Sequence, residues 1–276
     1  MDLAIHAGRV GTRLAQLLTE PSIRQRRSAY RVEMDMIKQY PTLDEERRLQ
    51  QAGHAYIAGL DEAGRGAWAG PVAAAAVVLP LDDPHLMRGL SGVCDSKLCT
   101  PLQRDALYDQ ICEVAITWAV SLVPAARIDQ IGIVPSTRQA MCEAVSQLDP
   151  LPHALLIDAL DLPELEMPQR ALDKGDLQCL TIAAASILAK VTRDRHMQRA
   201  GEAYPDYGFA AHKGYGTDQH HRALLERGPL LIHRWSFKPV VEWVTRSNHG
   251  RDVTGQVRNT TPPGTQRPRQ AGGAAE

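Results

Sequence analysis

The chain has 276 residues, 44% of them hydrophobic and 23% charged, the composition of a soluble globular protein with one large domain or two small ones. The longest apolar run, Val72 to Leu81, is too short to span a bilayer; Asp2, His6, Arg9 and Arg13 break up any secretory signal; and five cysteines without a C-x-x-C pair point away from a disulfide framework or zinc ribbon and toward a reducing cytoplasm. Net charge is −1, which excludes a protein that holds nucleic acid by bulk charge alone.

Residues 1–50, rich in Arg and Gln, read as an N-terminal helical extension. Thr42-Leu43-Asp44-Glu45 has the form of a capping box, with Thr42 as N-cap. Residues 51–245 form the dense part. Ala55 to Leu60 reads as a strand ending in acids, and Val72 to Leu79 as a buried strand. Thr100-Pro101-Leu102-Gln103 starts a helix, with Thr as N-cap and Pro at the first helical position. A third strand is expected over Ile116–Val123, a helix over Ser136–Leu148, a buried strand over Ala154–Ile157 running into Asp158, and a short strand over Arg170–Leu172. Gln178 to about Ala200 reads as a long helix, with Leu180, Ala184, Ile187, Leu188 and Val191 on one stripe. Short helices follow from Thr217 and around Trp243. The expected fold is α/β, a mixed sheet covered by helices. Residues 246–276 hold almost no large apolar side chain and read as a disordered tail.

Several groups of residues carry chemistry. Gly59-Leu60-Asp61-Glu62-Ala63-Gly64-Arg65-Gly66 puts two acids at a strand end. Neighbours on a strand point to opposite faces, so both acids serve one site only if the backbone turns there, which Gly64, Gly66 and Gly70 permit. Leu155-Leu156-Ile157-Asp158 ends a buried strand in a carboxylate held in fixed position; Asp161 competes for that role, and Asp158 could instead cap a turn. Lys174-Gly175-Asp176 precedes the long helix, whose electropositive start an acid would stabilise. Asp61, Glu62, Asp158 and Asp176, brought together, repel unless cations neutralise them. Oxygen ligands select hard ions such as Mg2+ or Mn2+, and two such ions activate a water and stabilise the leaving oxygen in phosphoryl transfer. Ser186, Lys190 and Arg193 or Asp194 share a helix face, which is either a phosphate track or a solvated surface. Tyr215, between Gly214 and Gly216, either stacks on a sugar or base or packs on the core. Asp95-Ser96-Lys97 is a loop whose lysine suits a phosphate contact. Residues 186–238 hold nine basic against five acidic side chains, with five histidines, a balance suited to a polyanion-binding surface.

These strings, with His212-Lys213-Gly214-Tyr215 and Arg234-Trp235-Ser236-Phe237, occur in the order found in bacterial ribonuclease HII, which the chain resembles over about residues 53–240. The resemblance implies a ribonuclease H-like fold with helical additions. It implies a metal-dependent endonuclease that hydrolyses the RNA strand of RNA–DNA hybrids. It also implies cutting on the 5′ side of ribonucleotides embedded in duplex DNA, leaving 3′-hydroxyl and 5′-phosphate ends. Asp61, Glu62, Asp158 and Asp176 would be catalytic and hold two Mn2+ or Mg2+ ions, Asp61 bridging both. Backbone groups of Gly64, Arg65 and Gly66 would read the ribose 2′-hydroxyl, and Tyr215 would stack on the sugar of the following deoxynucleotide. Lys97, Ser186 and Lys190 are further expected substrate contacts. A cytoplasmic monomer without membrane contact is expected. Two departures stand out: Gly132 where many relatives have Asn, and Leu98 where a second Lys often follows Asp-Ser-Lys. Two other readings remain: another ribonuclease H-superfamily nuclease that cuts plain DNA, and a non-catalytic nucleic-acid binder.

Overall fold

The computed structural model describes residues 40–249, apart from 95, 97 and 98. The helices expected before residue 40 and the tail beyond 249 lie outside the described residues. Five strands form one sheet in the order β3-β2-β1-β4-β5: β1 (Ile57–Ala63), β2 (Val72–Val78), β3 (Thr117–Val123), β4 (Ala154–Asp158) and β5 (Gln169–Leu172). β1, β2 and β3 are antiparallel neighbours, whereas β4 runs parallel to β1, and β5 parallel to β4. β2 is valine and alanine throughout and is buried along its whole length, so both of its faces need cover.

Two helices supply it. On one face lies α5 (Ile133–Ser146), whose Ala140, Met141, Ala144 and Val145 share a core layer with Ala74, Ala76 and Val78. It follows α4 (Ala125–Ile131) across Gly132, at φ 86 and ψ 166, a conformation essentially reserved to glycine. On the other face lies α6 (Leu180–Ala203), whose Ala184, Ile187 and Leu188 share a layer with Ala75 and Val77. The alternation of side chains along β2 divides these two layers.

α6 departs from the expected single stripe. Every residue from Leu180 to Ala189 is buried, because the sheet covers one side and α3 (Pro101–Val114) packs on another, while α7 (Phe209–His212) packs further along, its Ala210 against Gly201. The expected polar face is consequently not a solvated surface. Ser186 and Arg193 are buried, and Lys190 pairs with Asp194 at 2.8 Å.

α1 (Asp44–Gln51) also corrects an expectation. Thr42 is not its N-cap; Leu43 is. The Thr42 backbone is committed elsewhere, its N–H donating to Gln178 O and its O accepting from Leu180 N–H. Glu45, the expected return arm of the box, pairs with Arg48 and Arg170. Glu46 from the same turn is buried and accepts from both the Thr181 amide and hydroxyl at 2.9 Å, a carboxylate at the positive start of α6. The described part of the N-terminal extension is thus built into the main domain, and a boundary at residue 50 cuts through one packed unit. The remaining helices are α2 (Leu86–Gly89), α8 (Asp218–Arg227) and α9 (Lys238–His249). α9 runs four residues into the stretch expected to be tail. Among the described residues, no helix is long and apolar enough to cross a membrane.

Candidate active site

Asp61 and Glu62 on β1 and Asp158 at the end of β4 sit at one end of the sheet's centre. The parallel register pairs Leu60 with Ile157, so the next residues on β1 and β4, Asp61 and Asp158, end level with each other. Asp161, the competitor, is an exposed residue paired with Arg138 at 2.9 Å. Asp158 Oδ1 accepts from the amide of Gly175 at 2.7 Å. Asp176, the next residue, is buried in the short 3-10 turn Gly175–Leu177. Gly175 belongs here for its size, since a Cβ would lie 2.6 Å from Ile182 Cδ1. Gly59 does the same for β1: a Cβ there would lie 2.2 Å from the Thr181 carbonyl carbon. That close approach brings α6 onto the strand and sets Ser186 against Asp61.

Asp61 is buried, and its carboxyl is pushed well above the usual range, first by burial and then by the charges of Glu62 and Asp158. The Ser186 hydroxyl and the Glu62 amide (2.6 Å) donate to it and partly offset the shift. Ser186 Oγ also lies 3.0 Å from Ser96 Oγ. Its observed partners are therefore a site acid and the Asp95-Ser96-Lys97 loop. Lys97 itself lies outside the described residues.

β1 stays paired through Ala63, so the backbone does not turn between Asp61 and Glu62, contrary to the expected condition for a shared site; the two acids are still near enough for the Glu62 charge to raise Asp61. The turn comes at Gly64, at φ +93. The Glu62 carboxylate pairs with the Arg65 guanidinium, 3.1 Å away. With the side chains so arranged, no three His, Cys, Asp or Glu among the described residues form a ready metal-holding group. The electrostatics still fit a hard cation: a desolvated carboxylate flanked by two more at a strand end is stabilised by added positive charge.

The loop after β1 is clamped by two buried arginines that sequence reasoning did not place there. Arg193 donates to Pro71 O, Ala69 O and Lys213 O at 2.8–3.1 Å. Arg234 donates to Gly70 O and Arg65 O. A Cβ at Gly64 would fall 1.9 Å from Arg193 Nε, so glycine is required for that clamp as well as for the turn. Gly66, by contrast, is exposed, and a Cβ there would have no neighbour within 4 Å.

Tyr215 is half-buried, with the Arg193 guanidinium 5.2 Å and Lys190 Nζ 5.6 Å from its ring. Arg193 therefore joins the glycine loop to the Tyr215 loop. Trp68 joins them again, its amide donating to Gly214 O at 2.8 Å, and Gly216 lies so close to the indole that a Cβ would meet it at 2.1 Å. Beside Tyr215 opens a cleft of about 560 Å³ that includes Arg104, Lys190, Arg195 and Lys213 against Asp105 and Asp194. Arg104 also donates to Ser96 O and Cys99 O.

The family model for ribonuclease HII matches residues 58–240. The ribonuclease HII of Roseiflexus castenholzii is 54% identical over 206 residues, which is 73% of this chain and 90% of that one. The ribonuclease HII of Chloroflexus aurantiacus is 52% identical over 205 residues, 73% of this chain and 95% of its own. Among solved structures, the ribonuclease H2 of Pyrococcus horikoshii has a TM-score of 0.60 at 26% identity, covering 70% of this chain and 99% of the other.

Proposed function

The chain belongs to the ribonuclease HII family and is a ribonuclease H, an endonuclease acting on RNA–DNA hybrids, and from that premise we propose that it also cuts 5′ to single ribonucleotides in duplex DNA, using two Mg2+ or Mn2+ ions held by Asp61, Glu62, Asp158 and Asp176. The observation that carries this reading is Arg193. One buried side chain fastens both the loop that continues from the acids and the loop that presents Tyr215.

Each residue then has a task. Asp61, Glu62, Asp158 and Asp176 would hold the ions, with Ser186 and the Gly175 amide fixing the oxygens of Asp61 and Asp158. When bound, such ions activate a water for in-line attack and stabilise the leaving oxygen. Gly64, Arg65 and Gly66 would lay their backbone along a ribose and sense its 2′-hydroxyl, the group that distinguishes RNA from DNA; the open side of Gly66 leaves room for that approach. Tyr215 would stack on the next sugar. Lys190, Lys213, Arg104 and Arg195 would line a path for phosphates in the adjoining cleft, and Lys97 would add to it. The protein is read as a cytoplasmic monomer.

Cleavage of three duplexes tests the reading: one ribonucleotide in DNA, a continuous hybrid, and plain DNA, each with Mg2+ or Mn2+ and with chelator. Cutting of the first two only, and only with metal, is expected. Cutting of plain DNA would favour another nuclease of the superfamily. Binding without turnover would favour a non-catalytic binder. Asp61→Asn should abolish cleavage of both substrates in a folded protein; wild-type rates from that variant would overturn the metal assignment.

A further inference from the structure

Three histidines far apart in sequence meet in the segment after α6. His212 ends α7, His220 lies in the first turn of α8, and His233 lies beyond it; all are buried. The His212 and His220 rings stack with centroids 4.5 Å apart and planes 11° from parallel. His220 and His233 face each other through Nε2 at 3.1 Å. Phe209, Tyr207 and Trp68 enclose the rings.

The hydrogen bonds leave one tautomer for each ring. The Leu230 amide donates to His233 Nδ1 at 2.8 Å, so that nitrogen is a bare acceptor and the proton of a neutral ring sits on Nε2. That Nε2–H donates to His220 Nε2, whose proton must then be on Nδ1. His220 Nδ1 stands 3.0 Å from the carbonyl of Tyr215, which can only accept. His212 is set in the same way: its Nδ1 accepts from the Gly214 amide at 3.2 Å and its Nε2–H donates to Tyr207 O at 2.7 Å. Every ring is thus placed as a neutral donor and acceptor, and two of them end on the backbone of Gly214 and Tyr215. A charged ring would lose an acceptor and break the chain. Burial, the largest cause, lowers all three pKa values, His220 to about 4 and His233 to about 3.

We propose that this chain of histidines is a specificity device in which His220 is the positioning residue, its Nδ1–H fixing the Tyr215 carbonyl and thereby the pose in which the Tyr215 ring meets the sugar after a ribonucleotide. The proposal rests on the reading of Tyr215 as the junction residue. Tyr215 shapes cutting where a ribonucleotide is followed by a deoxynucleotide and matters less on a continuous hybrid. The device therefore sets the ratio of the two activities, not the activity of the acids.

The test uses the full chain and reads the ratio of kcat/KM on a single-ribonucleotide duplex to that on a continuous hybrid. This ratio does not depend on the folded fraction of a preparation. Tyr215→Ala sets the reference loss. His220→Asn places its amide NH2 near the position of Nδ1 and keeps the bond to Tyr215. His220→Gln places its side-chain carbonyl oxygen near the position of Nε2, where it accepts from His233 Nε2–H, and drops the bond to Tyr215. His220→Gln is expected to lower the ratio roughly tenfold, the size of one charge-neutral hydrogen bond, while His220→Asn stays within about twofold of wild type. Adding Tyr215→Ala to His220→Gln should lower the ratio no further than Tyr215→Ala alone. A His220→Gln enzyme with the wild-type ratio, beside a Tyr215→Ala enzyme that has lost it, would overturn the proposal. A Tyr215→Ala enzyme that keeps the ratio would instead overturn the reading of Tyr215. The wild-type protein gives a check that needs no variant to fold: nitrogen chemical shifts should report Nδ1–H at His220 and Nε2–H at His212 and His233, and the opposite tautomer at His220 would overturn the proposal.

Discussion

Asp61 is held in a position that costs stability. Its carboxylate is buried beside two others and its pKa is raised for that reason, so the ionised form is disfavoured in the fold relative to the unfolded chain. Asp61→Asn keeps the shape and removes the charge. Without metal, the variant should be more stable than wild type by about 0.5–2 kcal/mol, measured by thermal unfolding in chelator; an equal or lower midpoint would show that the repulsion is relieved in the native protein by other means. The glycines give a sharper contrast. Gly59→Ala would drive a Cβ into the Thr181 backbone at 2.2 Å, and backbone cannot rotate away as a side chain can. A loss of at least about 1–3 kcal/mol is expected in urea unfolding. Gly66→Ala meets nothing within 4 Å and should change stability by less than about 0.5 kcal/mol. A fall in cleavage by Gly66→Ala would then report on substrate approach, and no fall would count against the role given to this loop. The acids and glycines were legible in sequence because chemistry at a strand end needs particular residue types close together. The histidines were not: positions 212, 220 and 233 share no local pattern, and only the folding of α7 and α8 brings their rings together.

Helix starts show how far local rules reach. Thr100 and Gln103 form a full capping box, each side chain bonded to the other's backbone. Thr42 and Glu45, with Glu in place of Gln at the same spacing, fit the same motif and form none. The difference is tertiary: Thr42 is held as a bridge partner of Cys179, and Glu45 has two arginines in reach. Thr100→Ala should therefore cost about 1 kcal/mol. Thr42→Ala, losing a 3.3 Å contact from the Asp44 amide and a long 3.5 Å one to Gln178 O, should cost clearly less, and equal losses in urea unfolding would contradict this account. The same lesson holds for α6. A stripe of five apolar residues predicts one buried face, yet Ile182 to Ala189 carries no charge at all, the mark of a helix covered all round. Read that way, Ser186 belongs inside. Arg193 defeats the local rule altogether, because a buried guanidinium is tolerated only where acceptors take its protons, and here these are the carbonyls of Ala69, Pro71 and Lys213, which arrive from two distant loops.

At the scale of the molecule, buried titratable groups of opposite kind oppose each other as pH falls. Asp61 and Glu46 have raised pKa values, burial being the first cause in each, so the folded protein takes up their protons before the unfolded chain does and gains stability on acidification. The histidines act in the other direction. His233 is lowered from 6.5 to about 3, and His220 from 6.5 to about 4. Below pH 6.5 the unfolded chain binds these protons while the fold refuses them, so each ring subtracts stability as pH falls, and the loss levels off only near its folded pKa. A single pH curve of the wild type mixes the two signs and decides nothing. His233→Gln separates them: glutamine cannot be protonated, its amide nitrogen sits near the position of Nε2 to face His220, and the acids contribute equally to both proteins. The variant should be less stable than wild type at pH 7, where its packing is imperfect. The gap should then narrow toward acid by up to about 1.4 kcal/mol per pH unit, read from urea unfolding at pH 7, 6 and 5. Parallel curves would mean that His233 takes up its proton in the folded protein as readily as in the unfolded chain, and the neutral chain of rings behind Tyr215 would lose its physical basis.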